Sequence, residues 1–470
     1  AVRSGHLPIV RIFLQHVDVN SSEFEKTGLT EAVELGRLDI VELFLAKKDV
    51  NVNGENRTMP PLVAAAKTGR LNIVRRLLKH RDININASEY LLETAISIAA
   101  KEGHWDVVEF LLSQEGIDLS AGATPVLHSA VAHGKGLLVE KLIARDDVDI
   151  NCLSYSGRTA AVVAGAHGKL AILQALLSHT SIQLNGLALP LVEAAAEGHE
   201  EVVRGLLSRS DIDVNQIDGY GYTAVGKAAN RGQEAVLEAL LNHPGVSVNA
   251  GNPPLCQAVL SGHTKIVKRL LSCEGIDVTA VDTSVRAGTA FSIACQRGEK
   301  EIVELLLDVP GIDINARAKG FDGCGCSAVA WAIKNCHADI VKQIVATGRT
   351  IELNYVCPET GHTPLMQATQ DSLLSDAVLA ILSTPRADLG LEYEGNDIAA
   401  LVLSAIANRL SQAAIAALIR HPRSDISKFG SRALVRAAGT EGMKETMKLL
   451  LEAGGLDVNC EDDVSPATTP

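Results

Sequence analysis

The sequence predicts an all-α solenoid of about fourteen stacked repeats, and three observations predict it. Glycine returns at a near-constant interval, an alternating polar and β-branched arm returns with it, and the composition is 47% hydrophobic but only 3% aromatic. Helices of Ala, Val, Leu and Ile pack at short range without large rings, as a stack of small helical units requires. Residues 191–215, LVEAAAEGHEEVVRGLLSRSDIDVN, are the clearest copy. Leu191, Ala194 and Ala195 form one apolar stripe, Gly198 closes that helix, and Val202, Val203, Leu206 and Leu207 form a second stripe at helical spacing. Each helix has roughly 8 to 10 residues, below the ~12 to 15 that give marginal stability in water, so neighbouring copies must bury its apolar face.

The closing glycines are Gly5, Gly36, Gly69, Gly103, Gly134, Gly168, Gly198, Gly232, Gly262 and Gly298, spaced by 31, 33, 34, 31, 34, 30, 34, 30 and 36 residues. The chain must turn sharply there, and glycine takes the left-handed conformation that ends a helix without a Cβ penalty. The arm follows the second helix at Asp18-Val-Asn20, Asn51-Val-Asn53, Asn84-Ile-Asn86, Asp149-Ile-Asn151, Asp213-Val-Asn215, Asp313-Ile-Asn315 and Asp457-Val-Asn459. This alternation suits a short extended segment, with each Asn expected to bond back to its local backbone.

A period near 33 with two helices and a turn resembles the ankyrin repeat. The family pattern T-P-L-H-x-A-A-x-x-G-H is approximated by Pro60-Pro-Leu-Val-Ala-Ala-Ala-Lys-Thr-Gly69, Pro125-Val-Leu-His-Ser-Ala-Val-Ala-His-Gly134 and Thr363-Pro-Leu-Met-Gln-Ala368. The Gly-His pair stands at Gly5-His6, Gly103-His104, Gly198-His199 and Gly262-His263. The resemblance covers nearly the whole chain and implies an ankyrin-repeat α-solenoid with β-hairpin fingers, an elongated body that holds a protein partner by its fingers and concave face. A regular block is expected over 1–279, with longer, drifting repeats of the same stack over 280–459 and a disordered polar tail over 460–470. In the drifting block Cys336 replaces the glycine before His337, and residues 317–327 form a Gly- and Cys-rich insertion.

Between Gly69 and Gly262 the spacing alternates, so every second repeat has lost three or four residues. The loss falls in the turn before the first helix, where Tyr220-Gly-Tyr-Thr223 compares with Asn252-Pro-Pro254. In the ankyrin family this turn is the projecting finger, so the resemblance implies long fingers alternating with stubs. With helix pairs about 10 Å apart, projecting fingers would recur about every 20 Å. All six tyrosines lie in these turns, and Phe24, Phe321 and Phe429 are placed in equivalent ones, whereas Phe13, Phe44, Phe110 and Phe291 fall on apolar helix faces expected to be core. Aromatic side chains on rigid supports make efficient contact residues. The candidates are therefore Phe24, Tyr90, Tyr155, Tyr220, Tyr222, Phe321, Tyr355 and Tyr393, with Trp331 on the first-helix side. The alternative is that each ring covers its own hairpin or the next one; for Trp331, core burial is the preferred reading and contact the alternative.

Charge and chemistry narrow the function classes. Lys and Arg number 43 against 56 Asp and Glu, a net charge of −13, whereas a nucleic-acid or anionic-membrane binder draws affinity from a basic face. Arg75, Arg76, Lys79 and Arg81 cluster on one second helix and read as a solvated face. Nine cysteines without paired spacing fit thiols in a reducing compartment, the cytosol or nucleus, and no run of about 18 apolar residues is present to span a membrane. Cys324-Gly-Cys326 followed by Cys336-His337 lacks the gap usual within a zinc-binding Cys pair. Asp211-Ile-Asp-Val-Asn215 lacks the glycine and glutamate of a calcium loop, with Gln216 and Tyr222 in their places. Gly134-Lys135 and Gly168-Lys169 lack the rest of a phosphate loop. His104, His199 and His263 recur at repeat positions and are expected to bond a neighbouring turn rather than act as bases. The expectation is a monomeric, non-catalytic protein-binding scaffold without metal or cofactor. A second expectation rests on drifting copies such as Asn242-His-Pro-Gly-Val-Ser-Val-Asn249 and on a first repeat already under way at Ala1. These resemble the ligand-sensing repeat region of a larger signalling protein, with a nucleotide-driven NACHT-type switch domain as in fungal proteins.

Overall fold

Threonine and proline divide the task of starting the first helix of each repeat. Thr94, Thr159 and Thr223, at the ends of long turns, place their hydroxyls to accept from the backbone N–H of Ser97, Val162 and Gly226. This satisfies one of the donors that a helix start leaves orphaned. At the intervening shortened turns the N-cap is Pro125, Leu189 or Pro253, with Pro190 and Pro254 just inside the helix. Proline there fixes the entry angle and removes one of the orphaned donors. The alternation in turn length is thus an alternation in how the helix is begun.

The computed structural model describes residues 2–16, 18–20, 22–23, 26–54, 58–89, 93–119, 125–184, 188–282, 288–318, 325–353, 355–357, 360–384 and 398–452. Among them are 27 α-helices and three two-stranded antiparallel hairpins. The chain forms two compact bodies, Ala1–Tyr220 and Gly221–Pro470. In both, first helices stack on first helices and second on second. Ala160–Ala166 lies on Pro190–Glu197 in one body and Ala224–Arg231 on Pro254–Leu260 in the other, while Thr264–Leu271 packs between Glu234–Leu241 and Lys300–Leu307. The tail expected over 460–470 lies outside the described residues.

The two helices of a repeat are buried differently. In Glu200–Leu207, Val202, Val203, Leu206 and Leu207 are buried, the stripe the spacing predicts. In Pro190–Glu197, by contrast, Pro190, Leu191, Val192, Ala194, Ala195 and Ala196 are all buried, so the predicted single stripe is too narrow. A first helix has its own second helix and neighbouring first helices around it, and an element enclosed on several sides becomes apolar all round. Phe291 is fully buried and Phe44 nearly so, but Phe13 is 54% exposed. Its helix, Leu7–His16, is the first described helix and packs chiefly on Leu38–Leu45. Phe429, expected in a turn, lies buried inside helix Ile426–Ala438.

At two turns after a first helix the left-handed geometry is kept although the glycine is lost. Among the described residues, the non-glycine residues at positive φ are Cys336 at 61° and Arg409 at 55°. Both follow a first helix, after Ala328–Lys334 and Ile398–Ala407, where earlier repeats carry glycine. The stack imposes the left-handed turn, and a residue with a Cβ bears a strain of about 1–2 kcal/mol there. At Cys336 the thiol recovers part of that by donating to Asp371 Oδ2 at 3.4 Å, an exposed contact. Cys336→Gly is expected to raise stability by about 1 kcal/mol, read as a higher urea midpoint at unchanged slope. A lower midpoint would show that the thiol contact outweighs the backbone strain.

The arm asparagines tie repeat to repeat. Asn53 Nδ2 donates to Asp82 O at 2.7 Å while its Oδ1 accepts from Asn84 N at 2.7 Å. Asn151 does the same with Ser181 O at 2.7 Å and Gln183 N at 2.8 Å, and Asn249 with Gly275 O at 2.8 Å and Asp277 N at 2.9 Å. The expected bond to the local backbone is made instead by the residue two places earlier: Asp149 Oδ1 accepts from Asn151 N at 2.9 Å. A primary amide carries a donor and an acceptor side by side, so it completes a two-bond bridge to an extended backbone that a carboxylate cannot.

Candidate functional site

The turns before the first helices supply the projecting parts of the molecule. Antiparallel pairs join Ser22 to Thr27, Val281 to Thr289 and Arg317 to Ser327, and a single bridge joins Ser88 to Thr94. The hairpins that the repeat resemblance implies are therefore present. At residues 154–158 the chain closes a tight turn, with Gly157 N donating to Ser154 O at 2.8 Å and Ser154 N to Arg158 O at 2.9 Å.

Tyr155 stands at the tip of that turn and is 92% exposed, on a base held from both sides. From the preceding repeat, His128 Nε2 lies 2.8 Å from Arg158 O, and since a carbonyl only accepts, the ring donates. Burial pushes the His128 imidazole below its ordinary pKa, which keeps it neutral at neutral pH. Toward the following repeat the Arg158 guanidinium reaches Glu193 at 2.9 Å. Next to the tip, Leu153 is exposed, and a cavity of about 170 Å³ opens at the base, lined among others by Leu119, Pro125, Leu127, Leu142 and Leu153. Tyr220 is 69% exposed, and its backbone N–H donates to the buried Asp218 at 2.9 Å.

The other candidates divide. Tyr222 is half-buried with Lys227 Nζ 4.1 Å above its ring, and Tyr355 is half-buried under the Arg317 guanidinium at 4.3 Å, so both rings already stack on a cation. Trp331 is only 3% exposed and packs with Cys326, Ala330 and Cys357, so its place is in the core and it leaves the contact set. Phe24, Tyr90, Phe321 and Tyr393 lie outside the described residues. Sequence reasoning overlooked the aliphatic members of the fingers. Leu153, Ile217 and Val281 are all exposed and recur at 64 residues, two repeats apart. That doubled period was the available signal.

The chemistry-bearing side chains are engaged in the stack. His104, His199 and His263 each direct Nε2 at a carbonyl of the preceding repeat, Lys67 O at 3.0 Å, Ala166 O at 2.8 Å and Asn230 O at 3.1 Å. Burial pushes the Cys152 thiol up to about 11 and Cys256 up to about 12, far from thiolate at neutral pH. In the basic cluster, Arg76 pairs with Glu42 at 2.6 Å and the Arg75 guanidinium lies 4.6 Å over Phe110, so both guanidiniums are already engaged within the stack. No group of three or more His, Cys, Asp or Glu among the described residues is placed to hold a metal ion, and no described helix is long and apolar enough to cross a membrane. Cys324, part of the cysteine cluster weighed above, lies outside the described residues.

Stacked helix pairs, bridged by asparagine and histidine and joined through hairpin turns, define a repeat protein. The chain belongs to the ankyrin repeat family: a family model described as "Ankyrin repeats (3 copies)" matches residues 48–123, 127–218, 191–282 and 291–392. Ankyrin repeats are general protein–protein interaction modules. The chain is 28% identical over 327 residues to the Ankyrin repeat and KH domain-containing protein mask-1 of Caenorhabditis elegans, a match covering 65% of this chain and 11% of that protein. It is 26% identical over 225 residues to the Ankyrin repeat protein nuc-2 of Neurospora crassa, covering 46% and 21%. It is 26% identical over 179 residues to the Probable E3 ubiquitin-protein ligase XBOS32 of Oryza sativa subsp. japonica, covering 37% and 34%. The matched region is thus about a third or less of each relative's length.

Proposed function

We propose that the chain is a non-catalytic, monomeric scaffold of intracellular location that holds a protein partner through its finger turns, with Tyr155 and Tyr220 as principal contacts. The observation that carries this reading is the exposure of two tyrosines on backbone turns whose bases are fixed by internal bonds. A rigid ring loses little conformational freedom on binding, and interface energy concentrates in such anchors. The recess beside Leu153, with an aliphatic floor and Asp147 and Asp149 in its wall, gives the partner a place for an aliphatic or aromatic side chain. Support for a role without catalysis is that the recurrent histidines bond backbone carbonyls and that Cys152 and Cys256 are kept protonated.

The test is a pull-down with wild-type chain beside a Tyr155→Ser, Tyr220→Ser double variant, together with thermal unfolding of both. The double change is expected to move stability by no more than about 0.5 kcal/mol, as for exposed sites. It should weaken capture of whatever the wild type retains by about tenfold or more, since losing anchors costs above about 1.4 kcal/mol. Equal capture by both proteins, or a large drop in stability, would remove the tyrosines from the contact surface.

A further inference from the structure

Two cysteines that the binding reading does not use lie in contact. Cys326 is the first residue of strand Cys326–Ser327, just before helix Ala328–Lys334, and Cys357 stands in the following turn, ahead of helix Pro364–Ala368. Their sulfur atoms are 3.5 Å apart, both side chains are 1% exposed, and Ala330, Trp331 and Tyr355 pack around them. The backbone on each side is held: Ala318 pairs with Cys326, and Cys357 N donates to His362 O at 2.9 Å. The sulfurs stand 3.5 Å apart on held backbones, so a shift of about 1.5 Å brings them to the ~2.05 Å of a disulfide bond.

We propose that Cys326 and Cys357 form a redox-sensitive pair, which a peroxide converts to a disulfide that encloses one whole repeat. During local opening of the repeat, which admits peroxide to the buried pair, one thiol loses its proton to solvent, its sulfur attacks one peroxide oxygen, the O–O bond breaks, and a sulfenic acid and one water result. The second sulfur attacks the sulfenic sulfur, the S–O bond breaks, and a second water leaves. Two thiols are oxidised to one disulfide while one peroxide is reduced to two waters. The enclosed segment holds helices Ala328–Lys334 and Ala338–Ala346 and the arm that follows them, so the bond restrains this repeat against opening. Cys336, exposed within the same segment, directs its thiol at Asp371 Oδ2, 3.4 Å away.

The experiment treats the full chain with hydrogen peroxide and reads intact mass, non-reducing peptide maps and melting midpoint, using oxidation of the exposed Cys336 to verify that the oxidant acts. The expected result is loss of two hydrogen atoms, a cross-link between the peptides of Cys326 and Cys357, a raised midpoint, and reversal by a dithiol. Cys326→Ser and Cys357→Ser should each abolish the cross-link and the rise. Circular dichroism of each reduced variant verifies its fold, with Cys326→Ala and Cys357→Ala as replacements for a variant that does not fold. The proposal is overturned if Cys336 is oxidised while the pair stays reduced, if the pair stops at sulfinic acid without a cross-link, or if the link survives Cys326→Ser through Cys324.

Discussion

Leu270→Ala is expected to lower stability by about 2–5 kcal/mol, through lost transfer energy and the cavity left behind. Leu270 is fully buried, and Ile266, Val267 and Leu270 are the buried side chains of helix Thr264–Leu271. That helix packs on its own first helix, Pro254–Leu260, and on the second helices before and after it, Glu234–Leu241 and Lys300–Leu307. In a stack, each repeat contacts only its neighbours, so the loss weakens two interfaces at once and the remaining contacts cannot redistribute it. A whole domain is stable by only ~5–15 kcal/mol, so this one side chain supplies a large share. Denaturant melts should show a broadened or split transition, and hydrogen exchange should lose protection first in residues 254–271. Lys268→Ala, on the exposed face of the same helix, is the comparator and should change stability by less than about 0.5 kcal/mol. A loss below about 1 kcal/mol at Leu270 would mean that the second-helix layer carries little of the stack.

What could be read from the sequence follows from how local each constraint is. The turn glycines and the stripe of Val202, Val203, Leu206 and Leu207 answer demands made within a few residues, so spacing alone reveals them. The partners of Asn53 and Asn151 stand about one repeat away, and no local rule distinguishes an amide that bonds its own turn from one that bridges to the next. The alternation in turn length is legible in the glycine spacing, whereas the hydroxyl caps of Thr94, Thr159 and Thr223 at the long turns emerge only in the structure. For the candidate site, the turn positions of Tyr155 and Tyr220 were legible, and core burial is the preferred sequence reading of Trp331, but the neighbours that bury it were not legible. Burial at Trp331 depends on Cys357, which stands in the turn of the following repeat. Tyr222 and Tyr355 are half-buried for a related reason: the cations over their rings come from Lys227 and Arg317, which the spacing of tyrosines does not report.

The repeated Gly-His pair carries the second large prediction, because the structure makes the glycine serve two neighbours. Gly168 has φ of +66°, and a Cβ built there would lie 2.8 Å from the His199 ring of the next repeat. The same ring donates to Ala166 O at 2.8 Å, so it cannot swing aside without breaking the bond between repeats. Gly168→Ala therefore meets a backbone penalty of about 1–2 kcal/mol and forfeits a hydrogen bond worth about 1 kcal/mol, a total of roughly 2–3 kcal/mol. His199→Ala alone should cost about 1–2 kcal/mol, because it leaves a carbonyl at a helix end without its donor. If the two share one interaction, their costs do not add. In the His199→Ala background, Gly168→Ala should cost only its backbone share, and the double-mutant cycle should return a coupling of about 1 kcal/mol. Additive costs would show that the glycine is required only for its turn and that the imidazole above it is incidental; a coupling would establish that the periodic glycine is kept open by the histidine of the following copy.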